Sequence, residues 1–210
     1  MTENSQRKTI LKNLVDMVVQ IGQALARGEE FPQQVPEAIE LLKQALVELG
    51  NEIIPVLKDK YLETGDLLLL EVIGEMREPQ SLDFLIHAYR HSDFMTGMAA
   101  LIAIRKLRIS QGYEHINDLL LSIMNQKDDL VVLSTNEIMM MCTILGEWND
   151  SRAVETLKRA IEINEPPGMP KAAIEGLANY REAHQYLRNL AIEEKSLSKI
   201  IHDALNKNSE

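Results

Sequence analysis

Two phrases of this chain, "VIGEMREPQSLDFLIHAY" at 72–89 and "ILGEWNDSRAVETLKRAI" at 144–161, use the same order of residue types: an apolar pair, Gly-Glu, a turn, then apolar positions at helical spacing. Gly74 and Gly146 are 72 residues apart, and the match continues without a gap, with Leu82 against Val154, Leu85 against Leu157 and Tyr89 against Ile161. That offset is too long for one helical hairpin and suits two of about 36 residues each, with "LRISQGYEHINDLLLSI" at 107–123 as the copy between them. Partial copies stand on either side, "LGNEIIPVL" at 49–57 and "LANYREAHQYLRNLA" at 177–191. A chain that repeats this unit is a tandem array of helix pairs, because each pair has an apolar face that only a neighbour can bury.

Composition agrees. The 210 residues are 45% hydrophobic and only 4% aromatic, rich in the straight-chain residues that lose little rotamer freedom in a helix. Turn residues punctuate helix-sized stretches at 31–36, 62–66, 77–80, 91–97, 110–113, 126–129, 147–151 and 164–170. Ile10, Leu11, Leu14, Val15, Val18, Ile21 and Leu25 follow a 3.6-residue period, and no stretch alternates as a strand would, so strand content under about 5% is expected. Gly74 and Gly146 permit close helix approach, Asp150 or Ser151 caps a helix, and Pro79 suits a first helical turn.

On the residues "VIGEMREPQSLDFL" and "ILGEWNDSRAVETL" the chain resembles HEAT-like repeats, closest to the short bacterial kind found in phycobilisome lyase proteins. The copies near 107 and 177 read as lacking the glycine. The resemblance implies an all-α, right-handed α-α superhelix (a HEAT/armadillo-like solenoid) of about five helix pairs, as one domain over 1–210, with second helices on the concave side. Residues 1–36 are then an N-terminal capping helix and linker, 37–193 the repeats, and 194–210 a C-terminal capping helix and tail. A dimerisation helix is the alternative role for the amphipathic segment 7–27. The resemblance also brings in a bilin lyase subunit or chaperone as an alternative function.

Charge and motifs narrow the rest. A formal charge of −10 gives no support to a nonspecific grip on phosphate backbones, so no nucleic-acid partner is expected. Arg105, Lys106 and Arg108 read as a last helical turn complementing its dipole. Cys142, in "IMMMCTIL", reads as core, as do the methionines beside it. The polar start "MTENSQRK" has no signal pattern and no run reaches the length of a membrane span, so a soluble, cytoplasmic protein with no membrane partner is expected. His87 and His91, with Asp83 a turn earlier, have a spacing that could hold a metal, but the preferred reading is a solvated helix face with no metal. Deoxyhypusine hydroxylases, also HEAT-like, use His-Glu pairs, and no histidine here precedes a glutamate. HEAT-like alkylpurine DNA glycosylases need a basic surface with aromatic residues, whereas this chain is acidic and places its one tryptophan, Trp148, in an expected turn. No phosphate loop, nucleophile elbow or dinucleotide fingerprint occurs, so neither a catalytic residue nor a cofactor is assigned.

With the apolar positions assigned to the core, the opposite face of the second helices carries Asp83, His87 and Arg90 in one copy and Glu155, Arg159 and Glu162 in another. Asn117 and Leu121 join them from the intermediate copy, and Gln185, Arg188 and Asn189 from the last. These eleven residues are the expected binding face. Its mixed charge suits a protein or peptide, so the expected function is a noncatalytic interaction or scaffold module, monomer or homodimer.

Overall fold

A computed structural model describes residues 3–27, 35–91, 93–109, 112–125, 135–163 and 168–207. These residues form twelve α-helices and three short 3-10 turns, and no strand is found among them. The helices are α1 (Glu3–Ala26), α2 (Val35–Glu48), α3 (Ile54–Thr64), α4 (Leu67–Glu75), α5 (Leu82–Arg90), α6 (Phe94–Leu107), α7 (Gly112–Asn125), α8 (Thr135–Trp148), α9 (Ala153–Ile163), α10 (Met169–Leu177), α11 (His184–Glu193) and α12 (Lys195–Lys207). The chain divides into two compact units, Met1–Leu107 and Arg108–Glu210.

In the first unit α2, α4 and α6 pack in succession, α3 lies on α4, and α5 on α6. The α3–α4 corner follows from two residues. Gly65 takes the left-handed conformation (φ 67°) that ends α3, and the Asp66 carboxylate accepts the Leu68 amide at 3.0 Å to cap α4. Leu69, Leu70, Val72 and Ile73 bury α4 nearly all round, as a helix held between neighbours requires. Gly74 faces α6 so closely that a Cβ there would come within 3 Å of the Ala103 backbone. Around this core, α1 packs against α2, α3 and α4 through Leu11, Val15, Val18 and Val19. An ion pair of 2.7 Å between Asp16 and Lys60 ties it to α3.

The second unit repeats the scheme. Helices α8, α10 and α12 pack in succession, while α7 lies on α8, α9 on α10 and α11 on α12. Gly146 of α8 meets Gly176 of α10, backbone against backbone. The carbonyls that end α8 are answered by residues just after α10: Tyr180 Oη donates to the Leu145 oxygen at 2.5 Å and Asn179 Nδ2 to the Gly146 oxygen at 3.2 Å. In the turn before α9, Asp150 accepts the Arg152 amide at 3.1 Å and its guanidinium at 2.6 Å.

The repeat is less regular than its 72-residue offset implies. Arg77, Arg108 and Asn149, each with φ near +50°, close α4, α6 and α8 in the same way, and they are separated by 31 and 41 residues rather than by two equal steps. The extra length is shared between the segment that ends with α7, longer than the one that ends with α5, and the connection between Asn125 and Thr135. The last copy does possess its glycine: Gly176 stands 30 residues after Gly146 and fills the equivalent contact, which the 36-residue spacing had concealed.

Several boundaries also move. Helix takes in Val35, Pro36, Leu62 to Thr64, Phe94 to Gly97, Gly112, Tyr113, Glu147, Trp148, Met169 and Pro170, all expected in loops. Pro36 and Pro170 sit in first turns, where a missing amide costs nothing, and the others are captured by packing of the helices they extend. On α1, Ile10 is 59% exposed while Val19 is buried, so the apolar stripe is rotated from the expected one. The loops expected at 31–34, 110–111, 126–129 and 164–167 lie outside the described residues.

Candidate functional site

The second-helix face of the second unit is built from α7, α9 and α11. Val154, Leu157, Ala160 and Ile161 bury one side of α9, leaving Glu155, Arg159 and Glu162 exposed on the other. Toward α7, Thr156 Oγ1 donates to Asn117 Oδ1 at 2.6 Å and Arg159 Nη2 to Asn125 Oδ1 at 2.5 Å. Toward α11, the Lys158 ammonium lies 5.2 Å above the Tyr186 ring. Burial, followed by the Glu162, Glu155 and Glu193 charges, raises the pKa of the Tyr186 phenol. On α11, Gln185 donates to Asn189 at 2.9 Å, and Gln185, Arg188 and Asn189 are all exposed.

The expected residues of this unit therefore fall into one strip, with two in different roles. Asn117 is half-buried and engaged with Thr156, so it braces α7 against α9, and Leu121 is half-buried as well. Glu155 is paired with Lys158 at 2.6 Å, while Arg159 bonds to Asn125. Sequence reasoning missed Thr156, Asn125 and Tyr186. Tyr186 stands just before Leu187, the buried leucine of its repeat, as Phe84 stands before Leu85, and that register was available to be read.

Asp83, His87 and Arg90 belong to the first unit and are exposed on α5. Here the same device appears: Lys58 of α3 lies 5.3 Å above the Phe84 ring and donates to the Gln80 carbonyl at 3.1 Å. Lys58 follows buried Leu57 as Lys158 follows buried Leu157, so a cation one position after a core leucine covers an aromatic one position before the next. Burial lowers the pKa of Lys58, against the opposing charge of Asp83. Tyr61 adds an edge contact to Phe84, with centroids 5.6 Å apart at 84°.

The His87 and His91 rings stack at 4.1 Å. His91 Nδ1 is 2.9 Å from the His87 carbonyl oxygen, which makes Nδ1 the protonated nitrogen. Among the described residues no three His, Cys, Asp or Glu side chains converge as a metal site. Cys142 is fully buried, and burial pushes its thiol up to about 12, so it is not a nucleophile at neutral pH. Lys106 pairs with Glu75 at 2.7 Å and Glu71 at 3.0 Å, which removes it from the basic cluster near the end of α6. No described helix is long and apolar enough to cross a membrane.

What the fold and these faces define is the class of an all-helical protein whose alternate helices form successive layers within each unit. No family model, curated protein or solved structure matches the chain.

Proposed function

We propose that α2 to α11 are five HEAT-like helix pairs of a right-handed solenoid, flanked by α1 and α12 as capping helices, and that the chain is a noncatalytic module holding a protein or peptide on its second helices. The observation that carries this reading is the α7, α9 and α11 strip. Three helices held side by side by Asn117–Thr156, Arg159–Asn125 and Lys158–Tyr186 present exposed acids, cations and amides with the half-buried Tyr186 among them. Mixed charge around an aromatic is what a polar protein surface or an extended peptide complements, and a chain of formal charge −10 disfavours a nucleic acid.

The test is charge reversal at two exposed cations, Arg159→Glu with Arg188→Glu. Both are exposed, so circular dichroism should be unchanged and the melting curve should move only slightly, through loss of the exposed Arg159–Asn125 bond, whereas a partner retrieved from native-host lysate by the wild-type protein should bind measurably more weakly to the variant. Unchanged affinity for the same partner refutes the assignment of this strip.

A further inference from the structure

A cavity of about 510 Å³ opens in the first unit between the C-terminal part of α1, the α3–α4 corner and the outer side of α6. Its walls are apolar: Leu67 and Leu68 from α4, Ala99 and Ile102 from α6, and the backbone of Gly22 from α1. Ile102 remains 38% exposed, and Met95, on the same side of α6 one turn before Ala99, is 62% exposed. An apolar surface thus continues outward from the cavity mouth.

Beside the neutral Gln23 and Thr64, the charged groups that line this cavity, Asp66 and Glu71, are both acidic. Glu71 is answered by Lys43 at 3.2 Å and Lys106 at 3.0 Å, but those two ammoniums are also shared with Glu40 at 2.6 Å and Glu75 at 2.7 Å. Three carboxylates against two cations leave one negative charge, and Asp66 adds another. Asp66 has no cationic partner among the described residues. Its Oδ1 accepts the Leu68 amide, and the carboxylate is held against Gly22, where a Cβ would come within 3 Å of its Cγ. The group is therefore fixed in place, half-buried and without a cationic partner among the described residues, beside an apolar hollow of ligand size. Partial burial raises its pKa, as expected for a charge with no counter-ion.

We propose that this cavity is a binding site for a small organic cation, an ammonium carried on an apolar body, with the Asp66 carboxylate receiving the ammonium and the Leu67, Leu68, Ala99 and Ile102 walls covering the body. The site is independent of the second-helix strip. An anionic ligand would meet a carboxylate that has no cationic partner among the described residues, and a neutral apolar one would desolvate it further with only the Leu68 amide to answer it.

The test uses the full chain and three probes of one shape: 2-phenylethylammonium, 2-phenylethanol and 3-phenylpropanoate, titrated by amide-resolved NMR. The expected result is saturable shifts at the Leu67, Leu68, Ala99 and Ile102 amides with the ammonium, weaker binding of the alcohol and none of the carboxylate. Asp66→Asn keeps a side-chain oxygen for the helix cap and should weaken the ammonium by about tenfold or more while leaving the alcohol unchanged. Ala99→Leu fills the cavity without touching the cap and should abolish binding of both, so it decides between a filled and an empty cavity even if the Asn variant folds poorly. Equal affinity of the ammonium for wild type and Asp66→Asn, equal binding of the carboxylate, undiminished binding to Ala99→Leu, or no shift at these amides up to millimolar probe overturns the proposal.

Discussion

Gly146 and Gly176 stand backbone to backbone: a Cβ on Gly146 would fall within about 3 Å of the Gly176 backbone, and one on Gly176 within 2.9 Å of the Cys142 carbonyl oxygen. A methyl group at either position has no flexible neighbour to displace. Gly146→Ala and Gly176→Ala should each destabilise the second unit by about 1 to 3 kcal/mol, the range for forcing atoms into a filled core. Denaturant unfolding measures this, and an unchanged midpoint would mean that α8 and α10 do not pack this closely.

Tyr180 is 2% exposed and its hydroxyl donates to the Leu145 carbonyl, one of the acceptors left over at the end of α8. Tyr180→Phe keeps the ring and removes only the donor. The expected cost is about 1 to 2 kcal/mol, because a buried acceptor loses its partner and gains no water. A melting temperature equal to wild type would show the bond to be dispensable.

Acid should weaken the first unit through Glu71. Burial opposes its ionisation, but hydrogen bonds and charge from Lys106 and Lys43 outweigh that and hold its pKa below the ordinary 4.5. A carboxylate with a lowered folded pKa contributes stability that is complete above the unfolded value and lost as pH falls through the folded one. Stability measured from pH 7 downward should therefore decline below about pH 4.5, less steeply in Glu71→Gln than in wild type. Parallel profiles would remove Glu71 as the cause.

Cys142 should be silent toward thiol reagents in the native protein. With no exposure and a thiol held near 12, thiolate is scarce and unreachable at pH 8. Ellman's reagent should react at the rate of global opening and at once in denaturant. Immediate reaction under native conditions would contradict the burial.

What could be read along the chain was whatever depends on neighbours in sequence. The Gly74 and Gly146 phrases, the apolar spacing of Leu82, Leu85 and Tyr89, and the turn residues near 65 and 150 are local signals, and helices form where they point. Exposure of Asp83, His87, Arg90, Glu155, Arg159 and Glu162 was legible for the same reason, since a helix that buries one side must expose the other. Gly176 was missed because its register depends on a spacing of 30 residues, which only the contact with Gly146 makes visible.

That the chain is helical, where most helices lie and which side of each is apolar were all written in the order of residues, because these follow from periods of three to four positions. Which groups answer one another was settled by packing. Lys43 is buried between Glu40 and Glu71, Lys58 and Lys158 cover Phe84 and Tyr186, and Asp66 caps α4 while facing a cavity with no counter-ion among the described residues. Apart from Lys43 with Glu40 and the cap itself, each relation joins residues more than twenty positions apart. No local propensity encodes such a pairing; it arises when separate helices, each stable only through its neighbours, bring their side chains to one place.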